Sequence, residues 1–237
     1  MRLEDLTVVV PTKNEARNIE AFLRSLHPAV RLVVVDASTD ETRDLIARTR
    51  PERTHVIEDP GNIPQARQRG ADAADTPWLL FTDADMVFDA GYFDAWQRLD
   101  VGDRVGAVQG AKLSADGEYA TYYRLFSAGI GLLALFNVPA GTGSNMIIRR
   151  EALQQAGGFD FALSANEDSH VLWKVRRAGW RVVYRKDLKV YERDHRRLKQ
   201  GVLKKTLHSW TRSLMLMTGL GADRVRRSDW GYWKPKK

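Results

Sequence analysis

The chain has 237 residues, enough for one large domain or two small ones. It has no cysteine, which excludes disulfides, thiolate metal sites and cysteine nucleophiles, and its hydrophobic fraction of 43% is ordinary for a globular protein. The net charge of +7 is unevenly spread: residues 1–172 hold 17 basic and 25 acidic side chains, whereas residues 173–237 hold 20 and 5. Two interpretations of the basic residues 173–237 stay open. They bind an anionic partner, such as a diphosphate, a membrane surface or a nucleic acid, or they form a solvated surface.

The N-terminal residues 1–5 include acids and lead directly into an apolar run, unlike a signal peptide. The longest apolar run, residues 126–138, contains two glycines and falls short of the roughly 18 residues that a membrane-spanning helix needs. We therefore expect a cytoplasmic protein, with attachment to the inner face of the membrane as an option.

The first hundred residues alternate between apolar runs and helical patterns, which predicts an α/β fold with a mostly parallel sheet. The predicted strands are residues 6–10, 32–35, 54–57 and 78–81. Thr12 with Glu15 and Ser38 with Glu41 match the capping-box pattern, which predicts that a helix begins after each of the first two strands. Such sheets bind ligands at the carboxyl ends of their strands, where Asp36 and Asp83 lie.

The second half is less regular, but it shows no linker, repeat or low-complexity tract. It predicts helices at residues 92–99, 119–136 and 168–178 and from 151 onward, and strands at 105–109, 145–148 and 180–184. A final amphipathic helix carries an apolar stripe of Leu198, Val202, Leu207, Trp210, Leu214 and Met217. This helix suits either a membrane interface or a packed core, and both interpretations stay open.

Two acidic motifs carry the chemistry. Asp83-Ala84-Asp85 follows a buried strand, and its carboxylates can hold a hard divalent cation that also binds substrate phosphates, although an isolated motif of this kind is often an ordinary acidic turn. Glu167-Asp168 opens a helix, where a carboxylate can act as a general base toward a hydroxyl or can simply cap the helix.

Three weaker signals accompany these acids. His195 can complete a metal shell and the adjacent Arg197 can meet a diphosphate, or both can belong to an exposed basic loop. Arg67 and Arg69 can reach a nucleotide or face water. The glycine-rich segment 141–145 can cradle a sugar or form a turn before a strand.

Taken in order, the motifs resemble those of family 2 glycosyltransferases with the GT-A fold, over residues 6–198. The motifs are Val10-Pro11-Thr12-Lys13-Asn14-Glu15, Val35-Asp36-Ala37-Ser38-Thr39-Asp40-Glu41-Thr42, Ala66-Arg67-Gln68-Arg69-Gly70, Asp83-Ala84-Asp85, Gly157-Gly158-Phe159-Asp160 and Glu167-Asp168. The resemblance implies an inverting, metal-assisted transfer of a sugar from a UDP- or GDP-sugar to an acceptor hydroxyl. It also implies one domain over residues 1–237, with a nucleotide-sugar half (1–100), an acceptor half (101–197) and a basic C-terminal helix and tail (198–237).

The resemblance further implies a role for each matching residue. Asp168 would be the general base, and Asp83, Asp85 and His195 would bind Mn²⁺ or Mg²⁺. The expected donor-binding residues are Pro11, Thr12, Asn14, Glu15, Asp36, Arg67, Asp83, Ala84, Asp85 and Arg197. Gly143, Ser144 and Glu167 are expected on the sugar and acceptor side.

Some positions depart from the family pattern. Ala37 and Gln68 stand where many relatives have Asp and Asn, so the nucleobase is undetermined. No Gln-x-x-Arg-Trp motif follows Glu167-Asp168, so we expect one transfer per acceptor, onto a lipid, a cell-envelope glycan or a soluble molecule.

Two alternatives belong to other classes. The first is a catalytically inactive binding protein for anionic lipid or nucleic acid; the basic tail lacks a nucleic-acid motif, and we expect no nucleic-acid partner. The second is a nucleotidyltransferase, which would show a glycine-rich loop after the first strand. Residues 11–15, which follow that strand here, contain no glycine and argue against this class.

Overall fold

The computed structural model describes residues 1–136, 138–199 and 201–219, without the side chains of Arg197 and Lys204. The strands are β1 (Leu6–Thr12), β2 (Arg31–Asp36), β3 (Thr54–Glu58), β4 (Trp78–Phe81), β5 (Met86–Phe88), β6 (Val105–Ser114), β7 (Met146–Arg149) and β8 (Arg181–Glu192). The helices are α1 (Ile19–Ser25), α2 (Thr42–Thr49), α3 (Ile63–Ala73), α4 (Tyr92–Gln97), α5 (Ala120–Leu135), α6 (Arg150–Gln155), α7 (Glu167–Arg177), α8 (Arg196–Lys199) and α9 (Val202–Thr218).

All eight of these strands form one sheet in the order β3-β2-β1-β4-β7-β6-β8-β5. Strands β1 to β4 are mutually parallel, as predicted, and β8 is parallel to β6. Strand β7 runs antiparallel between β4 and β6, and β5 pairs antiparallel with β8. The carboxyl ends of β1, β2 and β4 therefore lie at one edge, where Asp36 and Asp83 are found.

Side chains of β1 alternate between two apolar layers, which explains its unbroken run of valines. Val8 and Val10 pack into a layer that includes residues of α1 and α4, whereas Val9 packs into a layer that includes residues of α6 and α7. A strand covered on both faces buries every side chain, so both sets of positions are apolar.

The two predicted capping boxes are wrong. α1 begins at Ile19 and α2 begins at Thr42, and neither helix has a side-chain cap. The hydroxyls of Thr12 and Ser38 instead donate to the buried Asp36 carboxylate, both at 2.6 Å. A hydrogen bond to a charged acceptor is stronger than one between neutral groups, so the buried carboxylate determines how both hydroxyls are oriented.

The structure contains strand segments that the sequence pattern did not predict. Strand β5 has three residues, too few to show a period, and β6 and β8 extend well beyond their predicted ends. In β6 the extension passes through Gly110, which resembles a turn residue in sequence. A Cβ at Gly110 would lie 2.5 Å from the Leu188 carbonyl oxygen, so glycine permits the close approach of β8 at this register shift.

Helix α9 packs with one face and exposes the other. Leu216 contacts Leu163 and Arg212 is fully buried, so one face belongs to the protein interior. Leu207, Trp210 and Leu214 are 67%, 61% and 62% exposed, so the interpretation that these three pack in the core is wrong for the described residues. Among all the residues that the structure describes, no helix is both long enough and apolar enough to span a membrane. The predicted basic tail beyond residue 219 lies outside the described residues.

Candidate functional site

Asp36 lies at the carboxyl end of β2 and is almost fully buried. Its carboxylate accepts hydrogen bonds from the Thr12 hydroxyl (2.6 Å), the Ser38 hydroxyl (2.6 Å) and the Ser38 N–H (3.1 Å). Arg43 Nε lies 3.4 Å from Asp36 Oδ2. These contacts connect the carboxyl ends of β1 and β2.

The loop after β1 contacts the segment that follows β2. Pro11 lies within β1, and Asn14 takes the left-handed conformation with φ 56°. The Asn14 N–H donates to the Ser38 hydroxyl at 2.8 Å. The Glu15 carboxylate accepts from Arg196 Nη2 at 2.8 Å. Glu15 therefore connects the predicted nucleotide-binding loop to the segment that carries His195.

Arg67 joins the two acidic motifs. Its guanidinium is buried, donates to Asp83 Oδ1 at 2.9 Å and forms an ion pair with Glu167. Burial alone would lower the pKa of Arg67, but the charges of Glu167, Asp83 and Asp168 outweigh it and raise the pKa. Arg67 thus stays protonated and balances the acids around it.

The 141–145 segment completes this cluster. The Ser144 hydroxyl donates to Asp83 Oδ2 at 2.7 Å, and the Gly143 N–H donates to Asp168 Oδ2 at 2.8 Å. A Cβ at Gly143 would lie 2.3 Å from Arg67 Nη2, so only glycine leaves room for the guanidinium. The structure therefore brings together six predicted site residues: Arg67, Asp83, Gly143, Ser144, Glu167 and Asp168.

Ala84 is buried and Asp85 is half-buried, with the Asp85 carbonyl oxygen accepting the Arg193 N–H at 3.0 Å. The carboxylate charge of Asp85 contributes to the raised pKa values of Lys112 and Arg196. The Asp85 carboxylate is thus close enough to Lys112 in β6 and to Arg196 in α8 to influence the pKa of both. Arg69, by contrast, is exposed, and the side chain of Arg197 lies outside the described residues.

Sequence reasoning missed a buried ion pair beside this cluster. Lys112 Nζ lies 2.9 Å from Glu192 Oε2 and 3.2 Å from the Ser144 hydroxyl oxygen, and the Tyr123 hydroxyl donates to Glu192. Burial opposes charge on both partners, but their mutual attraction prevails: the pKa of Lys112 is raised and that of Glu192 is lowered. No spacing in the sequence brings residues 112, 123 and 192 together.

His195 is 1% exposed, and both of its ring nitrogens have partners. Nδ1 lies 2.9 Å from the Tyr123 hydroxyl, and Nε2 lies 3.0 Å from Asp116 Oδ1. Asp116, Glu118 and His195 offer ligand atoms within 4.8 Å of one another, and among the described residues Asp83, Asp85 and His195 form no such group. The spacing of Asp116 and Glu118 repeats that of Asp83 and Asp85, a signal that could have found this second acidic pair.

Together the fold and the cluster define an α/β protein whose candidate site lies at the carboxyl ends of its parallel strands, where proteins with such sheets bind ligands. A family model described as "Glycosyl transferase family 2" matches residues 7–157, so the chain belongs to that family. This result confirms the family to which the motifs had been compared.

Curated relatives with similar sequences include two bacterial proteins. The chain is 27% identical to the succinoglycan biosynthesis protein ExoA of Rhizobium meliloti (strain 1021), over 74% of this chain and 59% of that protein. It is 28% identical to the pre-mycofactocin glycosyltransferase of Mycobacterium tuberculosis (strain CDC 1551 / Oshkosh), over 81% of this chain and 43% of that protein. The chain thus spans about half the length of the relatives that it matches.

Solved structures show the same fold. The mannosyltransferase PcManGT from Pyrobaculum calidifontis, in complex with GDP-Man and Mn²⁺, aligns with a TM-score of 0.71 at 24% identity, over 96% of this chain and 66% of that one. Glucosyl-3-phosphoglycerate synthase from Mycobacterium tuberculosis, with Mn²⁺, UDP and glucosyl-3-phosphoglycerate, aligns with a TM-score of 0.63 at 20% identity, over 90% of this chain and 80% of that one. These likenesses confirm the predicted α/β, GT-A fold.

Proposed function

We propose that this chain transfers a sugar from a nucleoside-diphosphate sugar to an acceptor hydroxyl, once per acceptor and with inversion at the anomeric carbon. The observation that carries the proposal is the Arg67 bridge. It connects Asp83, at the end of β4, with Glu167 at the start of α7, beside Asp168. A donor-side acid and a candidate base therefore lie in one cluster, as a transfer between two substrates requires.

The donor would occupy the carboxyl edge of the sheet. Asp36 and the loop around Asn14 supply hydrogen-bonding groups at the ends of β1 and β2, and Asp83 lies at the end of β4. The similar structures that hold GDP-Man or UDP support a guanosine or uridine diphosphate sugar as the donor.

Asp83 and Asp85 fit a hard divalent cation because both offer carboxylate oxygens at the sheet edge and because Mn²⁺ and Mg²⁺ share such ligands with phosphates. A bound cation would neutralise the diphosphate as it leaves. The third predicted ligand, His195, lies 3.0 Å from Asp116 Oδ1, and its role at the donor metal stays a prediction.

Asp168 would act on the acceptor. Its carboxylate is fixed by the N–H groups of Gly143 (2.8 Å) and Ser169 (2.6 Å), and each oxygen keeps a further lone pair. In the proposed step Asp168 takes the proton of the acceptor hydroxyl, the hydroxyl oxygen bonds to the anomeric carbon, and the bond from that carbon to the diphosphate oxygen breaks on the opposite face. Arg67 would hold Glu167 and Asp83 in place through this change.

The exposed apolar stripe of α9, consisting of Leu203, Leu207, Trp210 and Leu214, favours an acceptor at a membrane surface. A helix with exposed apolar side chains and flanking basic residues suits the interface of an anionic bilayer. We therefore propose peripheral membrane association and a lipid or cell-envelope glycan as the acceptor.

Thermal unfolding with UDP, GDP, CDP and dTDP, each with and without Mn²⁺, tests the donor site. A nucleotide at 100 times its dissociation constant stabilises the folded state by about 2.7 kcal/mol. We expect one nucleotide to raise the Tm of the wild type only with Mn²⁺, and Asp85→Ala to lose the increase. Asp103→Ala, an exposed acid away from the site, should keep it. If no nucleotide raises the Tm, the donor site is not where we place it.

A further inference from the structure

Helix α5 has an exposed apolar stripe that the proposed function does not use. Side chains that are 58% to 82% exposed lie on α5 and at the residue that follows it: Leu125, Leu132, Leu135 and Phe136. Spacings of three, four and seven residues place side chains on one side of a helix. The other side contains the buried residues Tyr123, Ser127 and Ile130 and packs on β6 and β8. The stripe is therefore the side of α5 that faces solvent.

Exposed large apolar side chains are concentrated on two helices of this protein. In the part of the chain that the structure describes, eleven such side chains are exposed, four of them on α5 and its end and four on α9. The other three, Val56, Ile63 and Phe161, are far apart in the sequence. Single exposed apolar residues are normal on a protein surface, whereas a group of eight on two helices indicates an interaction surface.

The first turns of α5 and α9 are neighbours. Lys205 Nζ of α9 donates to the Tyr122 hydroxyl of α5 at 3.1 Å and lies 5.9 Å from the centre of the Phe126 ring. The exposed apolar stripe of α9 lies on the opposite side of its helix from Arg212 and Leu216, which are buried. Each of these neighbouring helices thus packs one side on the protein and turns its apolar stripe outward.

The charges on these helices have one sign. Neither α5 nor α9 contains Asp or Glu, whereas Arg124 is exposed on α5 and Lys199 is exposed at the end of α8, just before α9. In a symmetric dimer the same surface would face its own copy, so like charges would be brought together at a cost in energy. An anionic bilayer offers both an apolar phase and opposite charge. The charges therefore favour a bilayer over a second copy of the chain.

We propose that α5 and α9 together form a surface that binds an anionic bilayer, with α5 as a second membrane-contact helix beside α9. The apolar stripes would enter the boundary between headgroups and acyl chains, while Arg124 and Lys199 would lie at the level of the headgroups. The inference rests on the membrane association proposed above for α9, but not on the chemistry of the transfer.

Both helices are connected to the segments that hold the candidate base. The chain after α5 leads through residues 138–142 to Gly143, whose N–H donates to Asp168 Oδ2 at 2.8 Å. The Asn166 side chain, two residues before Asp168, donates to the Ser213 hydroxyl of α9 at 3.0 Å. Contact with a bilayer would therefore act on both segments, and the acceptor suited to such a surface is an amphiphile held in that bilayer.

Single labelled cysteines test this surface, because the chain has no cysteine of its own. Leu132→Cys on α5 and Leu207→Cys on α9 each receive a polarity-sensitive thiol fluorophore, and Val56→Cys on β3 is the control at an exposed apolar residue elsewhere. With vesicles of phosphatidylglycerol and phosphatidylcholine, we expect a blue shift at both helices and none at the control. Binding to vesicles of phosphatidylcholine alone should be at least tenfold weaker.

Substitutions in the unlabelled chain provide a second measurement. Replacing Leu125, Leu132 and Leu135 together with Gln should weaken co-sedimentation with the anionic vesicles at least tenfold. The urea midpoint should stay close to that of the wild type, because the packed side of α5 is unchanged. Arg124→Gln should weaken binding about fivefold by removing one basic side chain near the headgroups. Val56→Gln should stay within twofold of the wild type.

Three outcomes would overturn the inference. A blue shift at Leu207→Cys without one at Leu132→Cys would limit the membrane contact to α9. A blue shift at Leu132→Cys that needs no vesicles and grows with protein concentration would show that a second copy of the chain covers α5. If neither helix responds to vesicles while a nucleotide with Mn²⁺ still raises the Tm, the membrane surface is wrong and the proposed donor site stands.

Discussion

Single residues determine how charge is balanced at the site: Arg67 is a buried cation within the cluster, and Lys112 is a buried cation beside it. Arg67 lies between Asp83 and Glu167, and Lys112 lies between Glu192 and Ser144. Both cations reach the Asp83 carboxylate, Arg67 directly and Lys112 through the Ser144 hydroxyl. Asp83, the proposed donor-side acid, is therefore held in place before any ligand binds, which would limit the reorganisation that binding requires.

Asp168→Asn should separate catalysis from donor binding. The amide oxygen can still accept from Gly143, but the side chain can no longer take a proton, so we expect kcat to fall about 10²- to 10⁴-fold. The nucleotide-dependent increase in Tm should remain. Glu151→Gln, which changes an exposed acid at the start of α6, is the matched control and should keep full activity. An Asp168→Asn enzyme with wild-type kcat would exclude Asp168 as the base.

Lys112 and Glu192 should depend on each other. Lys112→Met leaves a buried carboxylate without its cation and should cost about 3–5 kcal/mol of unfolding free energy in urea. Lys112→Met combined with Glu192→Gln should cost clearly less, because no buried charge is left unpaired. Glu192→Gln alone completes the cycle, and a loss in the double variant equal to the sum of the two single losses would show that the pair contributes no coupling.

The pH dependence of this pair follows from the directions of the two pKa shifts. The pKa of Glu192 is lowered from 4.5, so its contribution is present above pH 4.5 and is lost as the pH falls through the lower folded value. The pKa of Lys112 is raised from 10.5, so its contribution is present below pH 10.5 and is lost only at higher pH. The stability difference between wild type and the double variant should therefore be constant from about pH 6 to 9 and shrink in acid.

Among the elements, α3 has the best-defined start. The Asn62 side chain accepts from the Gln65 N–H at 3.0 Å while the Gln65 side chain accepts from the Asn62 N–H at 3.0 Å, with Pro64 in the first turn. We expect Asn62→Ala to lower the unfolding free energy in urea by about 1 kcal/mol. Glu41→Ala, at an N-cap position without a side-chain cap, should change it by far less. Equal effects would mean that the Asn62 cap adds no stability.

The same elements show what the sequence could and could not predict. Buried runs such as residues 32–35 and 78–81 are unbroken, so their strands and the acids that follow them, Asp36 and Asp83, were predicted. Capping failed at Thr12 and Ser38 because their hydroxyls bond to Asp36, a partner that only the folded sheet provides.

Pairings between distant residues were also out of reach of sequence reasoning. Lys112 and Glu192 meet because β6 and β8 are neighbours in the sheet, with Lys112 next to Val190 and Ser114 next to Glu192. Local patterns carry no information about which strands become neighbours, so this ion pair was missed, and so was the link from Tyr123 to His195.

For the whole molecule, the distribution of apolar surface predicts membrane attachment through α9. Replacing Leu207, Trp210 and Leu214 with Gln should abolish co-sedimentation with anionic vesicles because these exposed side chains supply the buried area at the interface. The urea midpoint should change little, since the packed face with Leu216 is untouched. Phe161→Ser, at an exposed aromatic residue elsewhere, is the control. Undiminished co-sedimentation of the triple variant would place any membrane contact elsewhere.

The short strand β5 has a consequence for how the protein is made. It begins one residue after Asp85, and its partner in the sheet is the end of β8, where Met86 lies opposite Glu192. During synthesis, about one hundred residues must be added after β5 before that partner exists, and such non-local pairing forms late. The C-terminal end of the Asp83-Ala84-Asp85 loop therefore gains this sheet partner only after β8 has been synthesised, and a nascent chain that stops short of residue 192 lacks it.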